Sequence, residues 1–532
     1  MTLAELIPGW PALRAMRWTD AQAAAYYATG RWGEGCDRLL AAHARRTPGR
    51  LAVSDGESTL SWGELDHAAR GLAGALLASG LRAGDVVLVQ MANSTEHVLA
   101  LYGLAAAGLV AYELPADTTA QRLAQAARRT RARALFADQA PGGRACLGSL
   151  TTPALVVEGA AALRTFAEFD RGSAPVGQDP DAVSTLIGTS GTTGTPKIVM
   201  RTANGSLAMA RTVIEHSGLS AADTLLTAAP LAGGVGWINA IGSVVLTGCT
   251  LVIPRTLAPD ALLALIETHR VSRIATLPTI ASRILGASGF RAEAVRTVEV
   301  LQTGGALLTP EIARALEHTF GCRVIVVYGA IDVGAPTMVS VEDPTDRRHT
   351  TLGRVCAGAE LVVLGPSGEH LGPGETGELA MRGPDTALGY FDDPEATASV
   401  FDADGWGRMG DLGLLDGDGY LHLTGRVKEI INRGGKKISI AEVEAAVAAV
   451  QGVREVAAVG YPDPDLGERC AVFVVADAEL GLDALRERLE RLGVPKTIWP
   501  ERVEMIDALP VAGSGKVDRA ALRGRVESRP SL

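Results

Sequence analysis

The chain has 532 residues, of which 47% are hydrophobic and 21% charged, a globular composition long enough for a large enzyme with a small appended unit. Its 60 acidic residues outnumber its 50 basic residues, and a net charge of −10 argues against binding to the phosphate backbone of a nucleic acid. The expected partners are therefore small molecules or another protein.

The cysteine pattern and the N-terminal residues favour a cytoplasmic location. The six cysteines include no CxxC pair, which argues against a disulfide framework or a zinc ribbon. The chain does not open with a basic stretch followed by an apolar one, so we expect no secretory signal.

The residues between 65 and 329 show alternating helix and strand patterns. Ala-rich helical patterns at 65–77 and 96–109 flank the apolar strand pattern at 85–91. From Ser184 onward, apolar strand patterns at 184–188, 296–302 and 322–329 alternate with amphipathic stretches. This alternation predicts βα-layered sheets that are covered on both faces.

Two helices of this part can be predicted in more detail. The first places Leu207, Ala210 and Ile214 on one face. The second begins with Thr309 as N-cap and Pro310 at the first helical position, and we expect Ile312, Ala315 and Leu316 to face inward.

One segment, 224–254, carries no charged residue and is long enough to cross a bilayer. Five glycines, Pro230 and Asn239 interrupt it, and no aromatic belt or basic loop flanks it. We therefore predict a buried helix leading into a buried strand, and no membrane association.

A domain boundary is predicted near 425–428. The residues that follow, notably 439–450, 454–463 and 469–477, give a compact α+β pattern without a flexible linker before it. We expect an N-terminal domain at 1–426 and a C-terminal domain at 427–532 that stay in contact through a hinge.

The stretch 188–197, GTSGTTGTPK, places five hydroxyl side chains among three glycines directly after an apolar strand. Hydroxyl groups, backbone N–H groups and a lysine can bind phosphate oxygens, although a plain polar turn is the alternative. It is not a Walker loop, because no GK[ST] occurs in it. The candidate phosphate-binding residues are Thr189, Ser190, Gly191, Thr192, Thr193, Gly194 and Lys197.

This stretch resembles the signature of the adenylate-forming superfamily, which includes acyl-CoA synthetases, nonribosomal-peptide adenylation domains and luciferases. Four more similar motifs follow in the family's order, and they begin at Gly304, Val326, Gly407 and Leu509. The resemblance spans nearly the whole chain. Segments 30–53 and 433–444 look most similar to stand-alone aryl-acid ligases of the dihydroxybenzoate and salicylate kind.

The resemblance implies an α/β fold with a large N-terminal domain, a small C-terminal α+β domain and a hinge at Lys428. It also implies the role of Lys516, which would bridge the substrate carboxylate and the α-phosphate. Asp332 would bind Mg²⁺. Asp411 would accept hydrogen bonds from the ribose, with Arg426 as a second contact, although a turn aspartate is the plainer reading of Asp411. The implied adenine-binding residues are Gly304, Gly305, Ala306, Tyr328 and Gly329, and the thiol-acceptor loop would contain Gly434 and Gly435.

The implied activity is that of a ligase of secondary metabolism that uses ATP and Mg²⁺. It would convert a carboxylic acid into an acyl-adenylate with release of pyrophosphate. The acyl group would then pass to the pantetheine thiol of CoA or of a separate acyl or aryl carrier protein, because only 16 residues follow Lys516.

The family's acid pocket would be lined here by Gly233, Gly234, Trp237, Gly329 and Ala330. The segment 224–254 offers no carboxylate for a substrate ammonium, and burial of an unpaired ammonium costs several kcal/mol. Gly233 and Gly234 also replace the His-Asn pair of dihydroxybenzoate enzymes and would leave extra volume. We therefore predict an apolar or aromatic acid, while Trp237 could stack on its ring or fill the core.

Four positions depart from the family pattern. Ile331 and Asp332 replace Thr-Glu, so one hydroxyl is lost and the carboxylate reaches about 1.5 Å less far. Ile198 and Met409 replace a glycine and a threonine. Because of these departures, a catalytically impaired nucleotide-binding partner of an active ligase is one alternative. The other is a stand-alone amino-acid-activating enzyme, which would need an acidic residue in the pocket from another segment.

Overall fold

The computed structural model describes residues 17–138, 155–159, 163–165, 176–188, 197–306, 308–427, 430–434, 436–510 and 517–528. The chain divides into two compact units. The first comprises residues up to 361 together with 381–407, and the second comprises 362–380 and the residues from 408 onward. The predicted division into an N-terminal domain at 1–426 and a mobile C-terminal domain at 427–532 stays a prediction.

The first unit contains two large sheets, which are parallel in their centres. The larger carries antiparallel strands at both edges and the smaller at one edge. The larger sheet has, in spatial order, the strands Arg354–Val355, Gly334–Met338, Arg323–Ala330, Val300–Gly304, Arg273–Thr276, Thr224–Ala228, Thr250–Val252, Leu51–Ser54 and Thr59–Ser61. The smaller has Gly389–Tyr390, Ile198–Thr202, Val183–Gly188, Val110–Glu113, Val86–Gln90, Ala134–Ala137 and Leu155–Glu158. The strands predicted at 85–91, 184–188 and 322–329 are thus confirmed. The strand predicted at 296–302 instead spans Val300–Gly304, because the turn that follows the helix Ala292–Val295 takes up its first residues.

Helices connect and cover these strands, as the alternating pattern predicts. The α-helices described in this unit are Asp20–Ala28, Cys36–Arg46, Trp62–Ala78, Thr95–Ala106, Ala120–Thr130, Ala203–Ser217, Gly234–Trp237, Val244–Thr247, Pro259–His269, Pro278–Leu285, Ala292–Val295, Pro310–Phe320, Thr345–Thr350 and Pro394–Val400. Local sequence fixes several starts: the Ser61 hydroxyl caps Trp62–Ala78 by accepting from the Glu64 N–H.

The helix Pro310–Phe320 confirms its predicted start and corrects its predicted face. The Thr309 hydroxyl accepts a hydrogen bond from the Ile312 N–H, and Pro310 is the first helical residue. Leu316 is buried and Ile312 is half-buried, but Ala315 is exposed and Ala313 is buried in its place. The inward face is thus rotated from the predicted one, because the neighbouring elements decide which alanine is covered.

The uncharged segment lies in the core of the first unit. Its helix runs through Gly234–Trp237, the π-helical turn Ile238–Ser243 and Val244–Thr247 before the buried strand Thr250–Val252. Inside the core, the Tyr102 hydroxyl donates a 3.0 Å hydrogen bond to the Ile241 carbonyl. The predicted buried helix and strand are confirmed, and the search of the described helices finds none with the length and apolarity to cross a membrane.

The second unit is an α+β structure, as predicted for the C-terminal part. Most residues of the sheet Glu360–Leu364, Gly377–Arg382, Gly407–Leu415 and Leu421–Arg426 belong to it. A further sheet contains Lys436–Ser439, Ile430–Arg433, Gly467–Ala476, Val453–Asp463 and Arg502–Met505. The helices Ile440–Ala448, Leu482–Arg491 and Arg519–Glu527 and the 3₁₀ turn Lys496–Ile498 complete its described residues. Their apolar faces meet around Val443, Val472 and Leu485, which are fully buried.

Candidate active site

The predicted site residues of the first unit follow the carboxyl ends of its central parallel strands. Val300–Gly304 and Arg323–Ala330 are parallel neighbours that end at Gly304 and Ala330. Val183–Gly188, in the other sheet, ends where the hydroxyl-rich stretch 189–197, called the hydroxyl loop below, begins. Ligands bind beyond the carboxyl ends of strands in open α/β sheets. The candidate adenine-binding residues therefore lie at the strand ends where this rule expects a ligand, and the candidate phosphate-binding residues follow such an end in the sequence.

The glycines of the candidate adenine site are required by close packing. A Cβ atom on Gly304 would lie 2.6 Å from Val327 Cγ1, and one on Gly329 would lie 2.6 Å from Ala335 Cα. Gly305 has a φ of +77°, which glycine adopts without strain, and lies with Ala306 on the exposed side of the strand end. Tyr328 is buried. This backbone therefore leaves no room for larger residues at Gly304 and Gly329.

In the predicted acid pocket, Ile331, which departs from the family pattern, contacts Gly234, which replaces a polar residue of the dihydroxybenzoate enzymes. A Cβ atom on Gly234 would lie 3.1 Å from Ile331 Cδ1, so the isoleucine packs against this glycine. Ile331 also packs on the buried cluster of Val199, Ala387 and Tyr390. The volume expected beside Gly234 is therefore partly filled by Ile331, and the resulting surface is apolar.

Trp237 belongs to the core of the first unit. Its side chain is only 6% exposed and packs within the cluster that contains Ile241 and Ala111. It lines a cavity of about 20 Å³, which holds roughly one water molecule and no aryl acid. The core-filling role is what the structure displays, and stacking on a substrate ring stays a prediction.

Lys197 and Asp332 both contact Tyr390, a residue that sequence reasoning did not select. The strands Ile198–Thr202 and Gly389–Tyr390 are antiparallel, with Val199 opposite Tyr390. The Lys197 Nζ lies 4.5 Å from the centre of the Tyr390 ring. The Tyr390 hydroxyl donates a 2.6 Å hydrogen bond to Asp332 Oδ2. Burial, together with the Asp332 carboxylate, raises the pKa of Tyr390 far above its ordinary value, so the phenol keeps its proton.

Arg201 fixes the backbone beside Asp332. Its guanidinium is buried and donates to the Ile331 carbonyl at 2.9 Å and to the Asp385 carbonyl at 2.7 Å. Burial lowers the pKa of Arg201, and burial raises the pKa of Asp385, whose carboxylate accepts from the Ala335 N–H at 2.7 Å. A charged residue inside the apolar strand 198–202 is the sequence signal that could have identified Arg201. No local signal marks Tyr390.

Asp332 fits the kind of Mg²⁺ site in which one carboxylate acts together with nucleotide phosphates. Mg²⁺ is usually bound through one or two carboxylates plus substrate phosphates rather than by a cage of protein ligands. Among the residues that the structure describes, no group of three or more His, Cys, Asp and Glu side chains could hold a metal ion. Asp332 is half-buried, and a phenol that donates one hydrogen bond leaves carboxylate lone pairs available.

In the second unit, the predicted ribose-binding pair is in contact. Asp411 and Arg426 lie opposite each other on antiparallel strands, and Arg426 Nε lies 3.0 Å from Asp411 Oδ1. Asp411 is buried, whereas the Arg426 side chain is half exposed. Gly434 has a φ of +56°, and its N–H donates a 2.7 Å hydrogen bond to the Leu466 carbonyl.

Several predicted residues lie outside the described part of the chain. They are the hydroxyl-loop residues Thr189, Ser190, Gly191, Thr192, Thr193 and Gly194, the hinge residue Lys428, the loop residue Gly435 and the catalytic candidate Lys516. Their roles stay predictions.

Comparison with known proteins identifies the family. The sequence model described as AMP-binding enzyme matches residues 40–391. The chain belongs to the AMP-binding enzyme family. The model described as AMP-binding enzyme C-terminal domain matches residues 442–516 of the same chain.

Individual relatives agree with this assignment. The 2-hydroxy-7-methoxy-5-methyl-1-naphthoate–CoA ligase of Streptomyces carzinostaticus is 35% identical over 95% of this chain and 96% of its own length. The salicyl-AMP ligase/salicyl-S-ArCP synthetase of Mycobacterium tuberculosis is 34% identical over 94% of this chain and 92% of its own. ATP-bound MatB from Rhodopseudomonas palustris superimposes with a TM-score of 0.85 at 26% identity, over 92% of this chain and 99% of the other.

As an AMP-binding enzyme, this chain is an acid–thiol ligase of the adenylate-forming superfamily. It uses ATP to convert a carboxylic acid into an acyl-adenylate and transfers the acyl group to a thiol acceptor. The predicted fold class and reaction type are confirmed.

Proposed function

We propose that this AMP-binding enzyme activates an aryl or similarly apolar carboxylic acid and passes it to a pantetheine thiol in a Mg²⁺-dependent reaction. The observation that carries the proposal is the contact between Ile331 and Gly234, which gives an apolar surface near the predicted nucleotide site. Val235, the next residue of the same helix, lies 3.8 Å from where Cβ atoms on Gly304 and Gly305 would be. The acid and adenine candidates are therefore neighbours.

The names of the two relatives support an aryl substrate, because one is a naphthoate ligase and the other a salicyl ligase. The uncharged segment argues in the same direction. Residues 224–254 are all described, and none of them carries a charge that could pair with an amino acid's ammonium group. An amino-acid substrate is therefore disfavoured.

The proposed chemistry has two steps. First, an oxygen of the acid attacks the α-phosphorus of ATP and pyrophosphate leaves, which gives the acyl-adenylate. Second, the thiol sulfur attacks the acyl carbon, loses its proton, and AMP leaves. Both steps gain from positioned donors that bind the charge developing on phosphate and carboxylate oxygens.

Each candidate residue would have a separate role in these two steps. Lys197 and the hydroxyl loop would hold the departing phosphates, and Lys516 would bridge the carboxylate and the α-phosphate. Asp411, with Arg426 beside it, would accept from the ribose hydroxyls. Mg²⁺ at Asp332 would supply charge neutralisation to the phosphates when bound.

The acceptor is CoA or the phosphopantetheine arm of a carrier protein, and the two relatives named above represent one case each. We place the reaction in the cytoplasm, where thiols remain reduced. The five described cysteines, which are free and buried, suit that environment.

The test is acid-dependent pyrophosphate release with ATP and Mg²⁺ across benzoates, hydroxynaphthoates, heteroaryl acids, fatty acids and amino acids. We expect release with one class of aryl or apolar acids, and its loss in Lys516→Ala. Lys496→Ala is the matched control, because Lys496 is an exposed lysine paired with Glu490. CoA and a phosphopantetheinylated aryl carrier protein are then compared as acceptors by mass spectrometry of the thioester.

Two results would overturn the proposal. Release with amino acids alone would favour the amino-acid-activating alternative. ATP binding without release for any acid, unchanged by Lys516→Ala, would favour the catalytically impaired partner.

A further inference from the structure

Tyr390 and Asp332 are 58 residues apart in the chain, yet they form a 2.6 Å hydrogen bond. The antiparallel pairing of Gly389–Tyr390 with Ile198–Thr202 sets this position, because it puts Tyr390 beside the strand that follows the hydroxyl loop. Thr397 reinforces it: the Thr397 hydroxyl accepts from the Tyr390 N–H at 2.9 Å. The tyrosine is therefore held independently of Asp332.

The same tyrosine also contacts the lysine that ends the hydroxyl loop. Lys197 Nζ lies 4.5 Å from the ring centre, which is within the range of a cation–π contact. One side chain thus contacts both a candidate phosphate-binding group and a candidate metal-binding group, its ring meeting the first and its hydroxyl the second.

Asp332 is fixed from its backbone side as well. Arg201 donates to the carbonyl of the preceding residue, Ile331, at 2.9 Å. A short carboxylate has few rotamers, so a fixed backbone and one strong hydrogen bond determine the direction of its second oxygen. An aspartate in place of the family's glutamate needs such support, because it cannot adjust its reach through an extra methylene group.

We propose that Tyr390 is a positioning residue that orients the Asp332 carboxylate toward the Mg²⁺–nucleotide complex while its ring keeps Lys197 beside the same phosphates. The inference rests on the proposed function for the roles of Asp332 and Lys197. It adds a residue and a reason why an aspartate suffices at this position.

The experiment measures binding of a non-transferable nucleotide, α,β-methylene ATP, by calorimetry with Mg²⁺ and with EDTA. The proteins are wild type, Tyr390→Phe, Asp332→Asn and the double variant. Partners that orient a metal ligand typically contribute 10- to 100-fold to metal affinity or activity. We expect each single variant to lose about tenfold of the Mg²⁺-dependent gain in affinity. The double variant should lose no more than Asp332→Asn alone, and binding in EDTA should stay near the wild-type value.

Tyr27→Phe is the matched control, because the Tyr27 hydroxyl also takes part in a side-chain hydrogen bond, accepting from the Asn204 amide at 3.2 Å. It should keep the full Mg²⁺ effect. If Tyr390→Phe lowers the melting temperature and keeps the Mg²⁺ effect, the hydroxyl is only structural and the proposal is overturned. The proposal is also overturned if Asp332→Asn keeps the full Mg²⁺-dependent gain in nucleotide affinity. Because Asp332→Asn leaves Tyr390 unchanged, this second test remains available if Tyr390→Phe does not fold.

Failure of the proposed function gives a different result. The binding experiment contains no carboxylic acid, so a protein that activates no acid can still show the Mg²⁺ effect and its loss. Conversely, acid-dependent pyrophosphate release with an unchanged Mg²⁺ effect in Tyr390→Phe would overturn only the role of Tyr390.

Discussion

Ile331 Cδ1 lies 3.1 Å from the position that a Cβ atom on Gly234 would occupy. Ile331 departs from the family pattern by the loss of a hydroxyl, and Gly234 differs from the dihydroxybenzoate enzymes by the loss of a polar side chain. Together they form one apolar contact, in which the larger side chain occupies the space left by the smaller. The packing of these two residues is therefore coupled, and a change at one of them alters the space available at the other.

This contact predicts that Gly234→Ala narrows the acid pocket. The added methyl group would press on Ile331 Cδ1. One methylene group more or less in an apolar pocket changes the preference of an enzyme for one substrate over another about 10- to 200-fold. We expect the KM for the preferred acid to rise about tenfold, with little change in the KM for ATP. Steady-state pyrophosphate release measures both constants.

The compensating change supplies the control. Ile331→Val removes the Cδ1 atom that makes the contact, so it should restore the KM of Gly234→Ala toward the wild-type value. A wild-type KM in Gly234→Ala, or no rescue by Ile331→Val, would show that this contact lies outside the acid pocket.

Gly329→Ala should destabilise the first unit. Its Cβ would lie 2.6 Å from both Ala335 Cα and the Gly334 carbonyl oxygen, which are backbone atoms that cannot turn aside. Overpacking of this kind costs about 1–3 kcal/mol. We expect a lower melting temperature and weaker nucleotide binding by calorimetry.

Gly524→Ala is the opposite case for comparison. Gly524 lies inside the helix Arg519–Glu527, and nothing lies within 4 Å of its added Cβ. An alanine there should raise the stability of the second unit by roughly 0.5–1 kcal/mol. Equal changes in the two glycine variants would contradict the packing argument.

Asp411→Asn should weaken ATP binding about tenfold without a change in the KM for the acid. Asparagine keeps the shape of the side chain but loses the charge that faces Arg426 and one of the two acceptor oxygens. Asp416→Asn in the same unit is the control, because the Asp416 carboxylate instead accepts from the Tyr420 N–H in a turn. Calorimetric titration with ATP distinguishes the two, and equal losses would remove Asp411 from the ribose site.

From the hydrogen bonds of His43, we predict that the protein loses stability at low pH. Its Nε2–H donates to the Val245 carbonyl at 2.8 Å and its Nδ1 accepts from Arg46 at 2.9 Å, an arrangement that needs the neutral ring. Burial lowers the pKa of His43 below its usual 6.5. The unfolded chain therefore binds the proton more readily, and the free energy of unfolding falls as the pH drops below about 6.5.

Urea unfolding at pH 8 and pH 5 tests this expectation. His43→Gln cannot titrate, so the variant should lose less stability than the wild type between the two values. An equal loss in both proteins would mean that other groups carry the pH dependence.

Local signals in the sequence sufficed for much of the secondary structure. Apolar runs placed the strands Val183–Gly188 and Arg323–Ala330, and Thr309 with Pro310 placed a helix start. These features depend on side-chain periodicity and on hydrogen bonds between residues at most four apart. The motif order carried the reaction class for the same reason, because each motif is a short contiguous stretch.

Tertiary structure alone decided which distant side chains meet. Tyr390 and Asp332, Ile331 and Gly234, and Arg201 and the Ile331 carbonyl are each brought together by strand order and register. The exposed Ala315 shows the same limit on a helix face, because an alanine is covered only if a neighbouring element packs over it. The chain itself therefore determined the elements and the class of chemistry. The positions of the groups that serve that chemistry depend on long-range packing, which no local pattern encodes.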